Sequence, residues 1–181
     1  MAELLLDRGQ QHIIESVQLA EGSFFDDIYP RVVSFLRSSG LDLPINLKTV
    51  AEPVGWRESL WHRWDFPDCP APSYIEGIVD GEDPTPILMR EIEEADREVI
   101  KIDLEPSSYK GELISASMEI GLYRVIGVAV DIGNFSMAEA VITRLRRLGQ
   151  RNGGDMSMVA ESLAYLGVAE ARKALSESSV S

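Results

Sequence analysis

Three glutamates, Glu91, Glu94 and Glu98, recur at steps of three and four residues, the spacing that places side chains next to one another on one face of a helix. Carboxylate oxygens in such a row are ligands that Mg²⁺ accepts in proteins, together with water molecules that it retains. A row of like charges is also typical of a solvated helix face. The row therefore predicts either a magnesium site or an acidic surface that contacts a partner.

The chain around this row reads Glu93-Glu94-Ala-Asp-Arg-Glu98, and the segment Glu119-Ile-Gly-Leu-Tyr-Arg-Val-Ile-Gly-Val-Ala follows on a later helix. These segments resemble the metal-binding helices of MazG-type all-α nucleotide pyrophosphohydrolases, which carry Glu-Glu-x-x-Glu on one helix and Glu-x-x-Asp on the next. In this chain Leu122 stands at the aspartate position, and the first motif is out of register. The resemblance implies a divergent Mg²⁺-dependent pyrophosphohydrolase as the alternative function.

A second charged group consists of Arg144, Arg146, Arg147 and Arg151, which follow one another without an acid between Thr143 and Gly154. Arg144, Arg147 and Arg151 share one face near the end of a predicted helix, where cations oppose the negative end of the helix dipole. Two other interpretations are an internal docking site for the acidic helix at 90–98 and an anion-binding pocket for a carboxylate or phosphate.

Other enzymatic chemistries lack their residues. Two histidines, His12 and His62, and the single cysteine Cys69 cannot form a closed zinc site. The glycine-rich run at 149–154 lacks the Gly-Lys-Ser/Thr ending of a phosphate-binding loop, and no serine lies in a Gly-x-Ser-x-Gly motif. We expect no catalytic residue, no bound metal and no cofactor.

The net charge is −13, and its excess is concentrated in one part of the chain. Residues 76–105 contain eleven acids and three bases, a net charge of −8. Direct binding to nucleic acid depends on lysine and arginine, so the charge argues against it. An acidic surface instead speeds encounter with a basic partner protein. The predicted partner-binding residues are acids and tryptophans: Asp80, Glu82, Asp83, Glu91, Glu94, Glu98, Trp56, Trp61 and Trp64.

The elements that must position these residues are helices. Apolar residues recur at three- and four-residue steps over 2–20, 27–38, 85–104, 118–133, 136–149 and 155–175. The helix from Met118 is predicted to be buried on nearly all sides, with Ile132 inward. Gly133-Asn134 predicts a left-handed stop, Ser136 with Glu139 a capping box, and Asp155 an N-cap. In the last helix, Leu175 is predicted inward, and Glu161 and Glu170 are predicted to be solvated.

Two segments between the helices are irregular. Leu41, Leu43, Ile45 and Leu47 alternate with polar residues, which suits an extended connector or a short edge strand, and the connector is favoured. Residues 52–86 hold six prolines and all three tryptophans, so this segment cannot be a long helix. It is expected to wrap over the bundle as a packed segment or to present its tryptophans to a partner.

The string Ile132-Gly133-Asn134-Phe135-Ser136-Met137-Ala138 resembles the helix-turn-helix junction of tetratricopeptide repeats, where a glycine precedes an aromatic residue and a small alanine packs between the helices. Gly167 lies 34 positions after Gly133, and the repeat period of that family is about 34 residues. The resemblance spans residues 118–176. It implies a stack of helices whose concave face binds peptides.

Length and composition predict an ordinary globular protein. The chain has 181 residues, of which 45% are hydrophobic and 26% charged. One cysteine excludes an intrachain disulfide and suits a reducing compartment. No run reaches the roughly 18 apolar residues of a membrane span, and the N-terminus lacks the features of a signal peptide. We expect a cytoplasmic protein without membrane contact. Its oligomeric state stays open, a dimer included.

These observations together predict a mainly α protein, an antiparallel helical bundle or short helical-repeat stack with an irregular Pro/Trp-rich insertion. A single domain is expected, with N-terminal helices at 1–50, the irregular segment at 51–86 and a helical core at 87–181. The predicted function is that of a non-enzymatic, acidic protein-binding module of inhibitor, immunity or adaptor type that engages a basic surface of a partner.

Overall fold

The computed structural model describes residues 1–53, 83, 85–104, 109–151 and 154–180, and over these ranges the chain forms six helices and no strand. The mainly α class is therefore confirmed. The helices are α1 (Ala2–Glu21), α2 (Ile28–Ser38), α3 (Thr85–Leu104), α4 (Tyr109–Asp131), α5 (Phe135–Arg151) and α6 (Ser157–Val180). None of these described helices has the length and apolarity needed to cross a lipid bilayer.

The connector after α2 is irregular. Residues 41–53 form no strand, and Leu41, Leu43, Ile45 and Leu47 are half-buried against the core built by α1, α2 and α6. Arg37 holds the connector to α2 by donating to the carbonyl of Lys48 at 2.7 Å. The prediction of an extended connector is confirmed for these residues, whereas the segment at 54–82, with its tryptophans, lies outside the described residues.

Side-chain contacts fix the directions of the helices. Tyr123 and Asp131 of α4 contact Glu161 and Tyr165 of α6 in the same order, so α4 and α6 run in the same direction. His12 and Glu15 of α1 contact Glu139 and Arg146 of α5 in the same order, so these two helices also run together. On α6, however, the partners of α1 come in reverse order: His12 contacts Glu170, whereas Ser16 contacts Ala160. The bundle is therefore antiparallel, as predicted.

The connection between α4 and α5 depends on Gly133 and Asn134. Gly133 has a φ of 77°, a conformation that glycine adopts without the steric cost of a Cβ atom. Asn134 then begins α5, because its Oδ1 accepts the backbone N–H of Met137 at 3.2 Å. The left-handed stop is confirmed at Gly133, but the capping box of Ser136 and Glu139 is wrong because the cap lies two residues earlier.

The start of α6 agrees with the sequence prediction. Asp155 Oδ1 accepts the backbone N–H of Ser157 at 3.0 Å and the hydroxyl of the same residue at 2.6 Å. The first of these bonds satisfies a backbone donor that the first turn of a helix leaves without an intrahelical partner. The predicted capping role of Asp155 is therefore confirmed.

Helix α6 lies at the centre of the bundle and belongs to two adjoining hydrophobic cores. One core joins α6 to α3, α4 and α5 through residues such as Leu122, Ile126, Leu145 and Leu163. The other joins α6 to α1 and α2 through Ala160, Ala164 and Val168. Because both sides of α6 face other helices, its surface is buried almost all round from Ser157 to Ala174.

The backbones of α1 and α6 approach closely where Gly9 faces Gly167. A Cβ atom built on Gly167 would lie 2.7 Å from the carbonyl oxygen of Gly9 and 2.8 Å from Cγ1 of Ile13. A Cβ atom on Gly9 would likewise lie 2.7 Å from the carbonyl oxygen of Gly167. Only residues without a side chain fit this crossing.

Two residues that were predicted to face the core, Ile132 and Leu175, are exposed instead. Ile132 follows the last residue of α4 and is 40% exposed, because the chain there turns at Gly133 and leaves the packed stack. Leu175 is 49% exposed, because α6 extends past the residues that face α1.

Candidate functional site

Helix α3 presents charged side chains of both signs, Glu93 and Glu94 together with Arg90 and Arg97, on the face opposite its buried residues. Leu88 and Ile92 are buried in the core, whereas Glu93 and Glu94 are exposed. At the start of the helix, the exposed Asp83 accepts the backbone N–H of Thr85 at 3.0 Å. This hydrogen bond to the backbone holds the pKa of the Asp83 carboxyl below its ordinary value.

A forked ion pair fixes α3 on the bundle. Arg144 of α5 donates from Nε to Oδ1 of Asp96 at 2.8 Å and from Nη2 to Oδ2 at 3.1 Å. Two parallel bonds constrain both the position and the rotation of α3 relative to α5. The contact between Arg144 and Asp96 therefore supports the interpretation of the arginine cluster as a docking site for the acidic helix. Of the other predicted anion-binding residues, Arg147 is exposed, and the side chain of Arg151 lies outside the described residues.

The partner-binding role stays a prediction for every residue to which the sequence assigns it. Glu94 and Asp83 are exposed, as a contact surface requires. Glu91 and Glu98 lie on α3, but their side chains are outside the described part of the chain. The remaining predicted residues also fall outside it: Asp80, Glu82, Trp56, Trp61 and Trp64.

A polar cluster that the sequence did not predict lies where α1, α5 and α6 meet. His12 Nδ1 is 2.6 Å from Oε1 of Glu170, and His12 Nε2 is 3.1 Å from Oε1 of Glu139. The side chain of Glu170 is 2% exposed, that of His12 14% and that of Glu139 42%. One imidazole thus connects a buried carboxylate on α6 with a half-exposed carboxylate on α5.

The surroundings of His12 favour its charged form. Burial by itself lowers the pKa of His12, but the hydrogen bond to Glu170 and the charges of Glu170, Glu139 and Glu15 raise it by more. The pKa of His12 is consequently above its ordinary value. Glu15 is in turn bound by Arg146 of α5 at 2.6 Å.

A cleft of about 430 Å³ opens beside this cluster. Its walls come from α1, α5 and α6, and they combine acids and hydroxyls with apolar side chains: His12, Glu15, Ser136, Glu139, Ala140, Ile142, Thr143 and Leu163. Among the side chains that the structure describes, no three metal-binding residues are grouped to hold an ion.

A second buried acid, Glu161, lies on the opposite side of α6. Its Oε2 accepts the hydroxyl of Tyr123 at 2.8 Å, and Arg31 Nε lies 3.6 Å from Oε1. Burial raises the pKa of Glu161, and Arg31 and the Tyr123 hydrogen bond offset part of the shift. The prediction that Glu161 and Glu170 are solvated is wrong, because helices surround α6 on the faces where these acids lie.

Sequence reasoning missed His12, Glu139, Glu170 and Glu161 because each pairs with a residue on a distant helix. The one local signal is that Glu161 and Glu170 are embedded among alanine, glycine and leucine in α6, a composition typical of a helix packed on several sides.

Comparison of the chain with protein-family models finds no match. Comparison with curated proteins and with solved structures finds none either. The geometry of the described residues therefore carries the functional argument.

Proposed function

We propose that this protein is a non-enzymatic binding module of inhibitor, immunity or adaptor type, whose acidic surface on α3 engages a basic surface of a partner protein. The observation that carries the proposal is the exposure of Glu93 and Glu94 on a helix whose other face is held by buried Leu88 and Ile92. Exposed acids on a fixed helix present negative charge in one orientation.

The ion pair of Asp96 with Arg144 supports this proposal. It pairs one partly exposed acid of α3 with α5, whereas Glu93 and Glu94 are exposed. The helix thus uses one carboxylate for its own docking and has others to meet a partner. Charged groups at the edge of an interface act mainly on the association rate, which depends on salt because ions screen the attraction.

The proposed contact is tested with two charge-matched variants. Glu93→Gln/Glu94→Gln removes two charges from α3, and Glu3→Gln/Glu177→Gln removes two exposed charges from α1 and α6. A host protein retained by the wild type is purified, and its association rate is measured from about 50 mM to about 500 mM salt. The α3 variant is expected to associate roughly three- to tenfold more slowly at low salt, and the control to match the wild type.

Equal association rates for the two variants would place the contact elsewhere and refute the proposal. Retention that does not depend on salt would refute it as well. Thermal melts with Mg²⁺ and nucleoside triphosphates examine the pyrophosphohydrolase alternative, which requires a specific stabilisation by both. At the position where that family carries its second-helix aspartate, Leu122 is buried in the core.

The resemblance to tetratricopeptide repeats remains a proposal about architecture. The junction of α4 and α5 has the turn glycine at 133 and a fully buried Ala138. Gly167, its counterpart 34 positions later, lies inside the continuous helix α6. The α4–α5 hairpin is thus the part of the chain on which a repeat-like peptide-binding face would be built.

A further inference from the structure

His12 has a carboxylate at each of its two ring nitrogens, Glu170 at Nδ1 and Glu139 at Nε2. An ionised carboxylate can only accept hydrogen bonds, and a neutral imidazole carries only one N–H. Only an imidazolium can donate the hydrogen bond to Glu170 from Nδ1 and at the same time present a charged N–H to Glu139 in an ion pair at 3.1 Å. Two carboxylates at these distances therefore favour the charged form of His12.

The hydrogen bond to Glu170 and the ion pair with Glu139 connect three helices. His12 belongs to α1, Glu139 to α5 and Glu170 to α6. The other charged residues that face the cluster are Glu15 on α1 and its partner Arg146 on α5. Since Glu170 is almost completely buried, its negative charge needs a partner that stays in place.

The two contacts are not equivalent. The hydrogen bond to Glu170 is 2.6 Å long and lies inside the bundle, whereas the ion pair with Glu139, at 3.1 Å, reaches a half-exposed carboxylate at the cleft. Water can replace His12 at Glu139 but has little access to Glu170. When the ring loses one proton, the tautomer that keeps Nδ1–H is favoured, because it leaves the buried acceptor satisfied.

We propose that His12 is a protonation-dependent clamp: its cationic form ties α1 to both α5 and α6, and loss of the Nε2 proton removes the ion pair with Glu139 of α5 while the hydrogen bond to α6 remains. The ion pair of Glu15 with Arg146 then stays as the charged contact between α1 and α5, so deprotonation weakens the hold of α1 on α5 beside the cleft without abolishing it. This device is separate from the proposed acidic surface on α3.

The direction of the response follows from the charges. Because the pKa of His12 is raised in the folded protein, the clamp stabilises the fold fully below the ordinary histidine value of about 6.5. Its contribution is lost as the pH rises through the raised value. The contact between α1 and α5 beside the cleft is therefore strongest at mildly acidic pH and weakens as the pH rises through the raised pKa of His12.

Nitrogen-15 NMR of the wild-type protein tests the charge assignment directly. The chain has only two histidines, so a His62→Gln variant assigns the His12 signals. At about pH 7, where an ordinary histidine has lost most of its second proton, both His12 nitrogens are expected to remain protonated, and at high pH only Nδ1. A neutral ring at about pH 7, or a neutral form protonated at Nε2, would overturn the proposal.

Amide hydrogen exchange tests the mechanical consequence. After correction for the intrinsic effect of pH, protection of α1 around residues 10–16 is expected to fall about two- to fivefold as His12 deprotonates, the loss expected for one partly exposed ion pair. Protection in the buried part of α4, residues 122–130, is expected to stay constant. Unchanged protection of α1 across the titration would refute the clamp.

Two variants distinguish the clamp from a general effect of charge. Glu139→Gln removes the charge at Nε2, so His12 is expected to deprotonate at a lower pH, and the loss of α1 protection should move with it. Glu177→Gln removes an exposed charge from the end of α6 and is expected to change neither. If Glu139→Gln leaves the His12 titration where the wild type has it, the bond to Glu139 does not contribute and the proposal fails.

Discussion

Replacing Gly167 by alanine adds one methyl group at the closest approach between α1 and α6. In an exposed helix the same change is favourable, because alanine has a better helix propensity than glycine by about 1 kcal/mol. At Gly167 the new Cβ atom would lie 2.7 Å from the carbonyl oxygen of Gly9, 2.8 Å from Cγ1 of Ile13 and 3.1 Å from its backbone nitrogen. The two helices must therefore separate.

The magnitude follows from what can move. Two of the three nearest atoms belong to the backbone of α1, which shifts only as a whole helix, so the strain cannot be relieved by a rotamer change. Overpacking of this kind typically costs about 1–3 kcal/mol. Against the propensity gain of about 1 kcal/mol, we expect Gly167→Ala to lower the free energy of unfolding by up to about 2 kcal/mol. A domain is stable by only about 5–15 kcal/mol, so the loss is readily measured.

Gly121→Ala is the matched control, because Gly121 is also helical and a Cβ atom there would meet nothing within 4 Å. It is expected to raise the free energy of unfolding by about 0.5–1 kcal/mol. Urea denaturation of the wild type and both variants gives the comparison, provided that the slopes agree. If Gly167→Ala were as stabilising as Gly121→Ala, the close crossing of α1 and α6 would be wrong.

Two further predictions concern buried and half-buried charges. Because the pKa of Glu161 is raised in the folded protein, ionisation of its carboxyl lowers the stability of the protein as the pH rises above about 4.5. Glu161→Gln keeps an acceptor for Tyr123 but cannot ionise. In this variant the melting temperature should therefore change less with pH in that range. An unchanged profile would contradict the buried position of the carboxyl. For the ion pair of Asp96 with Arg144, a double-mutant cycle with Asp96→Asn and Arg144→Gln should give a coupling of about 0.5–1 kcal/mol, since both side chains are partly exposed. Zero coupling would show that the pair does not position α3.

The helices themselves could be predicted because their signals are local. The periodic apolar residues of 85–104 correspond to α3, and Gly133 and Asp155 mark the end of α4 and the start of α6 as predicted. Where two local signals competed, at the start of α5, the predicted capping residue was wrong. Asn134 and Ser136 can both cap a helix, and the structure uses Asn134.

The interior of the bundle could not be predicted in the same way. A helical pattern separates an apolar face from a polar one, but in α6 the polar face also meets other helices, so Glu161 and Glu170 are buried. Nothing near His12 in the sequence indicates that its partners are 127 and 158 positions away along the chain. Likewise, the sequence does not show why position 9 is a glycine, because the reason is its close approach to Gly167 on another helix.

The pairing of α1 with α6 also bears on how the chain acquires its shape during synthesis. The first helix leaves the ribosome long before its partner, and its apolar side has no lasting cover until residues 157–174 have been made. Contacts so distant along a polypeptide form slowly, because a large loop must close first. In the growing chain, α1 therefore needs protection by a chaperone until α6 has been made and can cover its apolar side.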